Sequence, residues 1–382
     1  SLTRMNIFGQ VRNVGDKMDT YHEPGRELPV VTDADVVICG GGPAGIAAAI
    51  AAARAGAATH LIEVCGCLGG VWTAGLLGWI IDSKDKPGIM REITDRLRAR
   101  GACTVDEPKV VDFDEEPRYR GKDLARDFSY DPEEMKRLLE EMALEAGVRV
   151  RLHTRVVAAR RDEAGRADLV VTESKSGREA WRARAFVDAT GDGDLAAYLG
   201  CKYDMGHPDH GKVQPLSMIA LVTGIRAPEV EAYITEWRAG LIPPKTRLYE
   251  AFQRAGIEIS YSKPCLMRIR DELFVLALNH EYEVQATDAR GMSQATMRAR
   301  GEIHHAVEAL RASGGKWAGL RVVATPEQIG VREGRRIEGR YTVTTLDLIE
   351  GRRHEDAVAR VTFPVDVHSL DPSQGKAYGR EG

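Results

Sequence analysis

The sequence lacks the features by which membrane-spanning and secreted proteins are recognised. No stretch approaches the roughly 20 consecutive apolar residues that a helix needs to span a bilayer, and no basic segment with an apolar core opens the chain. The net charge of −4 over 382 residues gives no electrostatic reason to expect a nucleic acid or an anionic membrane surface as partner. We therefore expect a cytoplasmic protein that acts on a small molecule, while the oligomeric state stays open.

Motifs of hydrolases and metalloenzymes are also missing. The sequence contains no GxSxG, HExxH, GxxxxGK[ST] or CxxC, so serine hydrolase, zinc protease and P-loop functions have no support. The six cysteines are scattered, which argues against a disulfide framework in a chain of this size. Only Cys65 and Cys67 are close together. Because one intervening residue suits neither a redox pair nor zinc, we expect a loop here and no metal site.

What the chain does contain is a glycine turn between two apolar runs. Residues 35–39 are mostly apolar and β-branched, as in a strand buried on both faces, and glycines follow at 40–42. An alanine-rich stretch that starts at Pro43 indicates a helix, and a second apolar run, 59–62, ends at Glu63. Strand, glycine turn, helix, strand and acid in this order predict a dinucleotide-binding βαβ unit.

Each residue type has a physical task in such a unit. Gly40 permits the tight turn, Gly42 lets a pyrophosphate approach the backbone, and Gly45 lets the helix pack closely on the strand. The N–H groups at the start of the helix would hold the phosphates. Glu63 would accept hydrogen bonds from the ribose hydroxyls, and its charge would repel a 2′-phosphate, so we expect NADP to be disfavoured.

The segment that follows distinguishes between cofactors. Short runs at 156–161, 167–173 and 179–183 predict a small antiparallel meander inserted before the next core strand, 185–189. That strand ends in the turn Thr190-Gly191-Asp192. A domain that binds only NAD would normally continue with helical crossovers, so the meander favours a flavin-binding enzyme.

On these residues the chain resembles the FAD-dependent oxidoreductase family with the glutathione-reductase-type FAD fold, and it is distantly similar to fumarate reductase flavoproteins. The resemblance spans nearly the whole chain. The motifs that carry it are GGGPAG at 40–45, Glu63, CLGGVWTAG at 67–75, DATGDGDLAA at 188–197, QPLSM at 214–218, EQIGVREGRRIEGRY at 327–341 and FPVDVH at 363–368.

The resemblance implies that FAD is the cofactor and indicates which positions hold it. Val156 would act through its backbone, which reads the adenine edge. The positions implied as cofactor-binding are Gly40, Gly42, Pro43, Ala44, Gly45, Glu63, Gly70, Val156, Gly191 and Asp192.

The expected fold is α/β, with a Rossmann-like parallel-sheet FAD-binding domain, its inserted meander, and a mixed α+β substrate domain. We expect an irregular leader at 1–34, the FAD-binding domain at 35–205, the substrate domain at 206–365 and an incomplete return to the FAD domain at 366–382. The resemblance implies a last strand and a long helix in that return, which the residues after 365 do not provide. We therefore expect this chain to bind FAD weakly or not at all.

The resemblance implies hydride transfer between a small organic substrate and flavin N5. Arg332, Arg335 and Arg336 could clamp an acidic substrate, because guanidinium groups suit carboxylates; the competing interpretation is a structural network with Glu333 and Glu338.

Two histidines are candidates for moving a proton near pH 7. His368 lies in an alternating run and His280 follows an apolar strand, although either could instead be structural.

Two functions other than hydride transfer stay open for the whole protein. One is a different reaction class on the same fold, such as thiazole formation or RNA modification, and the other is a non-catalytic dinucleotide-binding protein.

Overall fold

The computed structural model describes residues 20–83, 85–104, 128–235, 244–362 and 366–371. Most of the return predicted at 366–382 lies outside these residues. Within them the protein has a mixed α/β fold with parallel and antiparallel sheets.

The described elements include three 3₁₀ turns, at Gly70–Trp72, Glu231–Tyr233 and Gly315–Trp317. The strands and helices follow one another as β1 (Val30–Val31), β2 (Val36–Cys39), α1 (Pro43–Arg54), β3 (Thr59–Ile62), β4 (Trp79–Ile80), α2 (Ile89–Ala99), β5 (Cys103–Thr104), β6 (Phe128–Tyr130), α3 (Pro132–Glu145), β7 (Arg149–Arg151), β8 (Arg155–Arg161), β9 (Ala167–Ser174), β10 (Gly177–Arg182), β11 (Ala185–Asp188), α4 (Asp194–Tyr198), β12 (Tyr203–Asp204), β13 (Ile219–Thr223), α5 (Ala227–Val230), α6 (Pro244–Arg254), β14 (Cys265–Arg270), β15 (Leu273–Ala277), α7 (Ala289–Ala312), β16 (Arg321–Ala324), β17 (Arg336–Ile337) and α8 (Thr345–Glu350).

The predicted βαβ unit is the centre of a parallel sheet with the strand order β11-β2-β3-β7. Strands β2 and β3 are almost fully buried, which suits the apolar run of β2 and the apolar Leu61 and Ile62 of β3, while Thr59 and His60 are buried polar residues. Cys39 at the end of β2 pairs with Asp188 at the end of β11. The turns that follow these two strands, at Gly40 and at Thr190-Gly191-Asp192, therefore emerge side by side at one edge of the sheet.

The meander predicted between 156 and 183 is present as the antiparallel strands β8, β9 and β10. A fourth strand, β1, joins it in parallel, with Val30 opposite Ala180. Within the stretch predicted as an irregular leader, residues 30 and 31 thus form a short strand. The physical reason is that two β-branched residues cover the edge of β10, whose backbone groups would otherwise lack partners.

A second, antiparallel sheet has the order β14-β15-β13-β16, and the long helix α7 packs against it through buried residues such as Ala299 and Ile303. Strand β13 begins at Ile219. The preceding Leu216 and Ser217 form isolated bridges with Glu281 and Gly330. Beyond β13, the short helix α5 is followed by the 3₁₀ turn Glu231–Tyr233.

Local sequence explains where α3 begins and which face it buries. The Asp131 side chain accepts a hydrogen bond from the Glu133 N–H (2.9 Å), and Pro132 occupies the first helical position. Apolar residues at helical spacing, including Met135 and Leu139, are fully buried, which stabilises the fold by roughly 1.5–3 kcal/mol for each side chain.

Across the described ranges, no helix combines the length and apolarity that crossing a membrane requires.

Candidate functional site

The glycine turn is closely packed on one side and open on the other. A Cβ at Gly40, where φ is +102°, would lie 2.2 Å from the Ala189 carbonyl oxygen, and a Cβ at Gly45 would lie 1.8 Å from the Gly40 oxygen. At Gly42, by contrast, no atom of the described chain lies within 4 Å of the Cβ position. Glycine is therefore required by the fold at positions 40 and 45, whereas Gly42 faces space that a ligand could fill.

The start of α1 lies at this open face. Gly42 is its N-cap, Pro43 and Ala44 are its first residues, and no described side chain caps the helix there. The N–H groups of Ala44 and Gly45 are thus available to an anion, and the helix dipole favours negative charge at this end.

Glu63 is fixed against the glycine turn by two backbone hydrogen bonds. The Gly41 N–H donates to Oε2 at 2.5 Å and the Cys65 N–H donates to Oε1 at 2.7 Å, and the side chain is only 6% exposed. Each carboxylate oxygen has a second lone pair, so Glu63 can still accept hydrogen bonds from two hydroxyl groups. The next strand is tied to the same residue, because Thr154 N–H donates to the Glu63 carbonyl oxygen (2.9 Å), two residues before Val156.

The loop after Glu63 closes over the glycine turn. Gly70 has a φ of +51°, and a Cβ there would lie 3.0 Å from the Cα of Gly42. The loop is held by the Thr73 hydroxyl, which donates to the Leu68 carbonyl oxygen at 2.5 Å, and by the Tyr130 hydroxyl, which donates to the Trp72 oxygen at 2.9 Å.

The turn after β11 forms the other side of this opening. Asp188 shapes it, because its Oδ1 accepts from the Thr190 N–H (3.1 Å) and hydroxyl (2.7 Å). Gly191 has a φ of +88° and open space at its Cβ position among the described residues. Burial and the negative charge of Asp194 raise the pKa of Asp192 above its ordinary value.

These features fit FAD. The open glycine position and the free N–H groups of α1 suit a pyrophosphate, the fixed carboxylate of Glu63 suits ribose hydroxyls, and the two glycine turns leave a gap between them. The ten positions implied as cofactor-binding lie at the carboxyl ends of neighbouring strands, on the loops that follow them or in the first turn of α1, with Val156 near the start of β8. Their individual contacts with FAD stay predictions.

Three of the four residues predicted to be catalytic come together in one cluster. Nη2 of Arg332 lies 3.4 Å from Nε2 of His280, and the His280 and His368 rings are 5.0 Å apart. Two tyrosines that the sequence did not single out complete it: Tyr261 stacks on His280 at 4.2 Å, and the Tyr282 hydroxyl lies 3.1 Å from Nδ1 of His280. We call these five residues the His–Tyr–Arg cluster.

A half-buried carboxylate, Glu302, holds the two segments that carry this cluster. Glu302 on α7 accepts hydrogen bonds from the Ser260 N–H (2.5 Å) and hydroxyl (2.8 Å) and from the Asn279 amide (2.6 Å). Ser260 precedes Tyr261 and Asn279 precedes His280, so one carboxylate holds both halves of the stacked pair. The two tyrosines and Glu302 were missed because nothing local in the sequence marks them, although Tyr261 and His280 flank the same hairpin, β14–β15.

Arg335, the fourth residue predicted to be catalytic, lies elsewhere. Its Nη1 donates to the Asp192 carbonyl oxygen and to Asp194 Oδ1, both at 2.8 Å. Arg336 pairs with Glu333 and donates to the Gly206 oxygen (2.6 Å). A structural network therefore exists, but it uses Asp194 as well as Glu333, and Arg332 is outside it.

Residues 328–336, the bridging segment, connect the cluster to the cofactor loops. At one end the Gln328 N–H donates to the Ala74 oxygen (3.4 Å), and near the other end Arg335 holds Asp192. Arg332 lies between these contacts. The segment thus spans from the loop after Glu63 to the turn after β11, and it carries one member of the His–Tyr–Arg cluster.

Comparison with known proteins agrees with this geometry. The model of the family described as FAD dependent oxidoreductase matches residues 35–381. No curated protein matches the chain.

Solved structures that are similar to the chain have low sequence identity. They include p-nitrophenol 4-monooxygenase from Pseudomonas putida DLL-E4 (13% identity, 80% of this chain and 69% of that chain, TM-score 0.48). A geranylgeranyl bacteriochlorophyll reductase-like protein from Thermoplasma acidophilum has 12% identity over 81% and 67% of the two chains, with a TM-score of 0.49. L-amino acid deaminase from Proteus vulgaris has 15% identity over 82% of this chain and 86% of that chain, with a TM-score of 0.48.

Because the family model covers most of the sequence, the chain belongs to the FAD dependent oxidoreductase family and is an FAD-dependent enzyme.

Proposed function

We propose that the enzyme transfers a hydride between a small organic substrate and FAD. FAD, when bound, supplies the two-electron chemistry, and the protein supplies binding, orientation and proton transfer. The observation that carries the proposal is the course of the bridging segment. Its contacts with Ala74 and Asp192 join the two cofactor loops, while Arg332 between them contacts His280.

The cofactor would be held by the opening between the glycine turn and the turn at Gly191. The N–H groups of Ala44 and Gly45 would bind the phosphates, Glu63 the ribose, and the backbone at Val156 the adenine edge. Supporting this assignment, the space at Gly42 is open and the Glu63 carboxylate is fixed in place.

His280 would take up the substrate proton at Nε2 when its contact with Arg332 opens, because this nitrogen has a single lone pair and the Arg332 donor occupies it. An arginine has only donors, so Nε2 must be the acceptor in its contact with Arg332, and the neutral ring carries its proton on Nδ1, beside the Tyr282 hydroxyl. Nε2 is also the ring atom turned toward Arg332. His368, with Nε2 3.8 Å from Asp366, would be the second proton-carrying group.

The test is to mix the FAD-loaded enzyme anaerobically with a panel of alcohols, amines and organic acids and to record the flavin absorbance bands. We expect at least one compound to abolish the bands, and His280→Asn to slow this reaction by about 10²–10⁴-fold, the usual contribution of a general acid or base. His304→Asn is the matched control, because His304 is exposed on α7, and it should react like the wild type. Equal rates for His280→Asn and the wild type would remove His280 from the proposal, and a panel without any reaction would overturn hydride transfer.

A further inference from the structure

The three arginines of the bridging segment differ in whether a carboxylate forms an ion pair with them. Arg335 pairs with Asp194 at 2.8 Å, and Arg336 pairs with Glu333. Of the residues that the structure describes, none places a carboxylate within the 4.0 Å ion-pair distance of Arg332. Its guanidinium instead donates to the carbonyl oxygen of Pro215 (2.6 Å) and approaches the neutral acceptor of His280. The hydrogen-bond partners of Arg332 are thus uncharged, and the negative charge of Asp366 acts on it only from beyond ion-pair distance.

The guanidinium of Arg332 has donors that these contacts do not use. A guanidinium has five N–H donors, and the two contacts above use one on each terminal nitrogen. Although residue 332 as a whole is exposed, its guanidinium is largely surrounded by protein, and this burial lowers the pKa of Arg332 below its ordinary value. A carboxylate placed beside the guanidinium would therefore stabilise its charged form.

We infer that the substrate is a small carboxylic acid whose carboxylate pairs with Arg332. A carboxylate is planar and accepts two parallel hydrogen bonds, which matches the unused edge of a guanidinium and supplies the missing negative charge. Because Nε2 of His280 is 3.4 Å from Nη2 of Arg332, a hydroxyl or amine next to that carboxylate would lie beside His280. This assignment rests on the proposed function, since it names the substrate class of the same site.

An acidic residue close to the cluster, Asp366, would compete with the carboxylate of the substrate. Asp366 carries negative charge close to the cluster, and its Oδ2 lies 3.8 Å from Nε2 of His368. Its field opposes the approach of a second carboxylate. Asp366→Asn is therefore expected to strengthen carboxylate binding, opposite in sign to any substitution that removes the charge of Arg332.

The test measures binding of benzoate, acetate and pyruvate to the FAD-loaded enzyme by calorimetry, with benzamide and acetamide as uncharged probes of the same shape. We expect at least one acid to bind saturably and its amide to bind far more weakly. Arg332→Met should raise the Kd for the acid about 10- to 100-fold, as expected for a charge-assisted hydrogen-bonded pair. Arg332→Lys should be intermediate, because lysine keeps the charge but not the two parallel donors.

Arg336→Met is the matched control in the same segment, and its Kd should stay within about twofold of the wild type, since Arg336 already pairs with Glu333. If Arg332→Met does not fold, Arg332→Lys and Asp366→Asn still test the assignment by their opposite effects. Equal acid affinity in the wild type and both Arg332 variants would overturn it, as would amides that bind as well as acids. Hydroxy or amino acids that bind through Arg332 without any loss of flavin absorbance would instead leave the substrate class standing and overturn hydride transfer.

Discussion

Arg332 and His280 are 52 positions apart in sequence, yet Nη2 of one lies 3.4 Å from Nε2 of the other. Arg332 belongs to the bridging segment, and His280 follows the hairpin of the antiparallel sheet. The contact therefore couples the segment that joins the cofactor loops to the ring that we propose carries the proton. It also fixes Nε2 of His280 as an acceptor, because arginine offers donors only.

Two glycines of the same turn should respond differently to alanine. Gly42→Ala meets open space and has a φ of −67° that alanine adopts, so the apo protein should be as stable as the wild type or about 0.4–1 kcal/mol more stable. The added methyl would occupy the place proposed for the pyrophosphate. We therefore expect FAD affinity to fall at least about tenfold, which is about 1.4 kcal/mol.

Gly45→Ala is the matched comparison, because its methyl would lie 1.8 Å from the Gly40 oxygen and the backbone must move. This variant should lose about 1–3 kcal/mol or more of stability before any cofactor is added. Thermal unfolding of both apo proteins and fluorescence titration with FAD provide the measurements. If Gly42→Ala bound FAD with wild-type affinity, the turn would not be the phosphate site.

Arg335→Met should loosen the turn at Asp192 rather than the substrate site. The substitution removes donors to the Asp192 carbonyl oxygen and to Asp194, and a hydrogen bond to a charged group contributes about 1.5–3 kcal/mol. We expect a lower midpoint of thermal unfolding and weaker FAD binding, with the carboxylate affinity of the loaded enzyme unchanged. Impaired carboxylate binding with normal FAD affinity would return Arg335 to the catalytic role predicted from the sequence.

Asp192 makes stability depend on pH in a defined direction. Burial, together with the nearby Asp194, raises the pKa of Asp192 above its ordinary value. Asp192 therefore contributes stability below its unfolded-state pKa of about 3.9, and that contribution is lost as the pH rises through the higher folded-state pKa. At neutral pH the ionised group costs stability, which asparagine removes.

The apo Asp192→Asn variant should consequently unfold at a higher temperature than the wild type at pH 7.5, and the difference should shrink toward pH 4. Scanning calorimetry at several pH values measures this. A difference that is constant with pH, or that grows in acid, would show that the ionised carboxylate is not the cause.

Cys65 and Cys67 should behave as structural thiols. Burial and the adjacent negative charge of Glu63 raise the pKa of Cys65 to about 12, and burial raises the pKa of Cys67 as well. Since the thiolate is the reactive form, alkylation by iodoacetamide at pH 8 should be much slower in the native than in the unfolded protein. Mass spectrometry of the labelled peptide measures the two rates. Rapid labelling of native Cys65 would instead support a redox role for this pair.

The sequence predicts the cofactor half well because its signals are local. Gly40, Gly45 and Glu63 fall at short, fixed spacings within one βαβ unit, and the meander has turn residues between runs of regular length. The strands found there match the predicted runs to within about two residues, as expected where hydrophobic pattern and turn chemistry agree.

The substrate half was less predictable because its contacts join distant parts of the chain. Arg332 and Arg335 have the same residue type and neighbouring positions, and only the fold shows that one meets His280 and the other Asp194. Stacking of Tyr261 on His280 likewise depends on the pairing of β14 with β15 and on a carboxylate from α7. No spacing rule connects such residues.

The most direct measurement is the anaerobic flavin absorbance of the FAD-loaded wild type and of Arg332→Met after mixing with small acids and their amides. The account predicts that at least one acid abolishes the flavin bands of the wild type. It also predicts that the corresponding amide does not. At subsaturating acid, the flavin of Arg332→Met should be reduced about tenfold more slowly than that of the wild type, or to a smaller extent. Bands that persist with every acid, or that disappear equally fast with amides and in Arg332→Met, would contradict it.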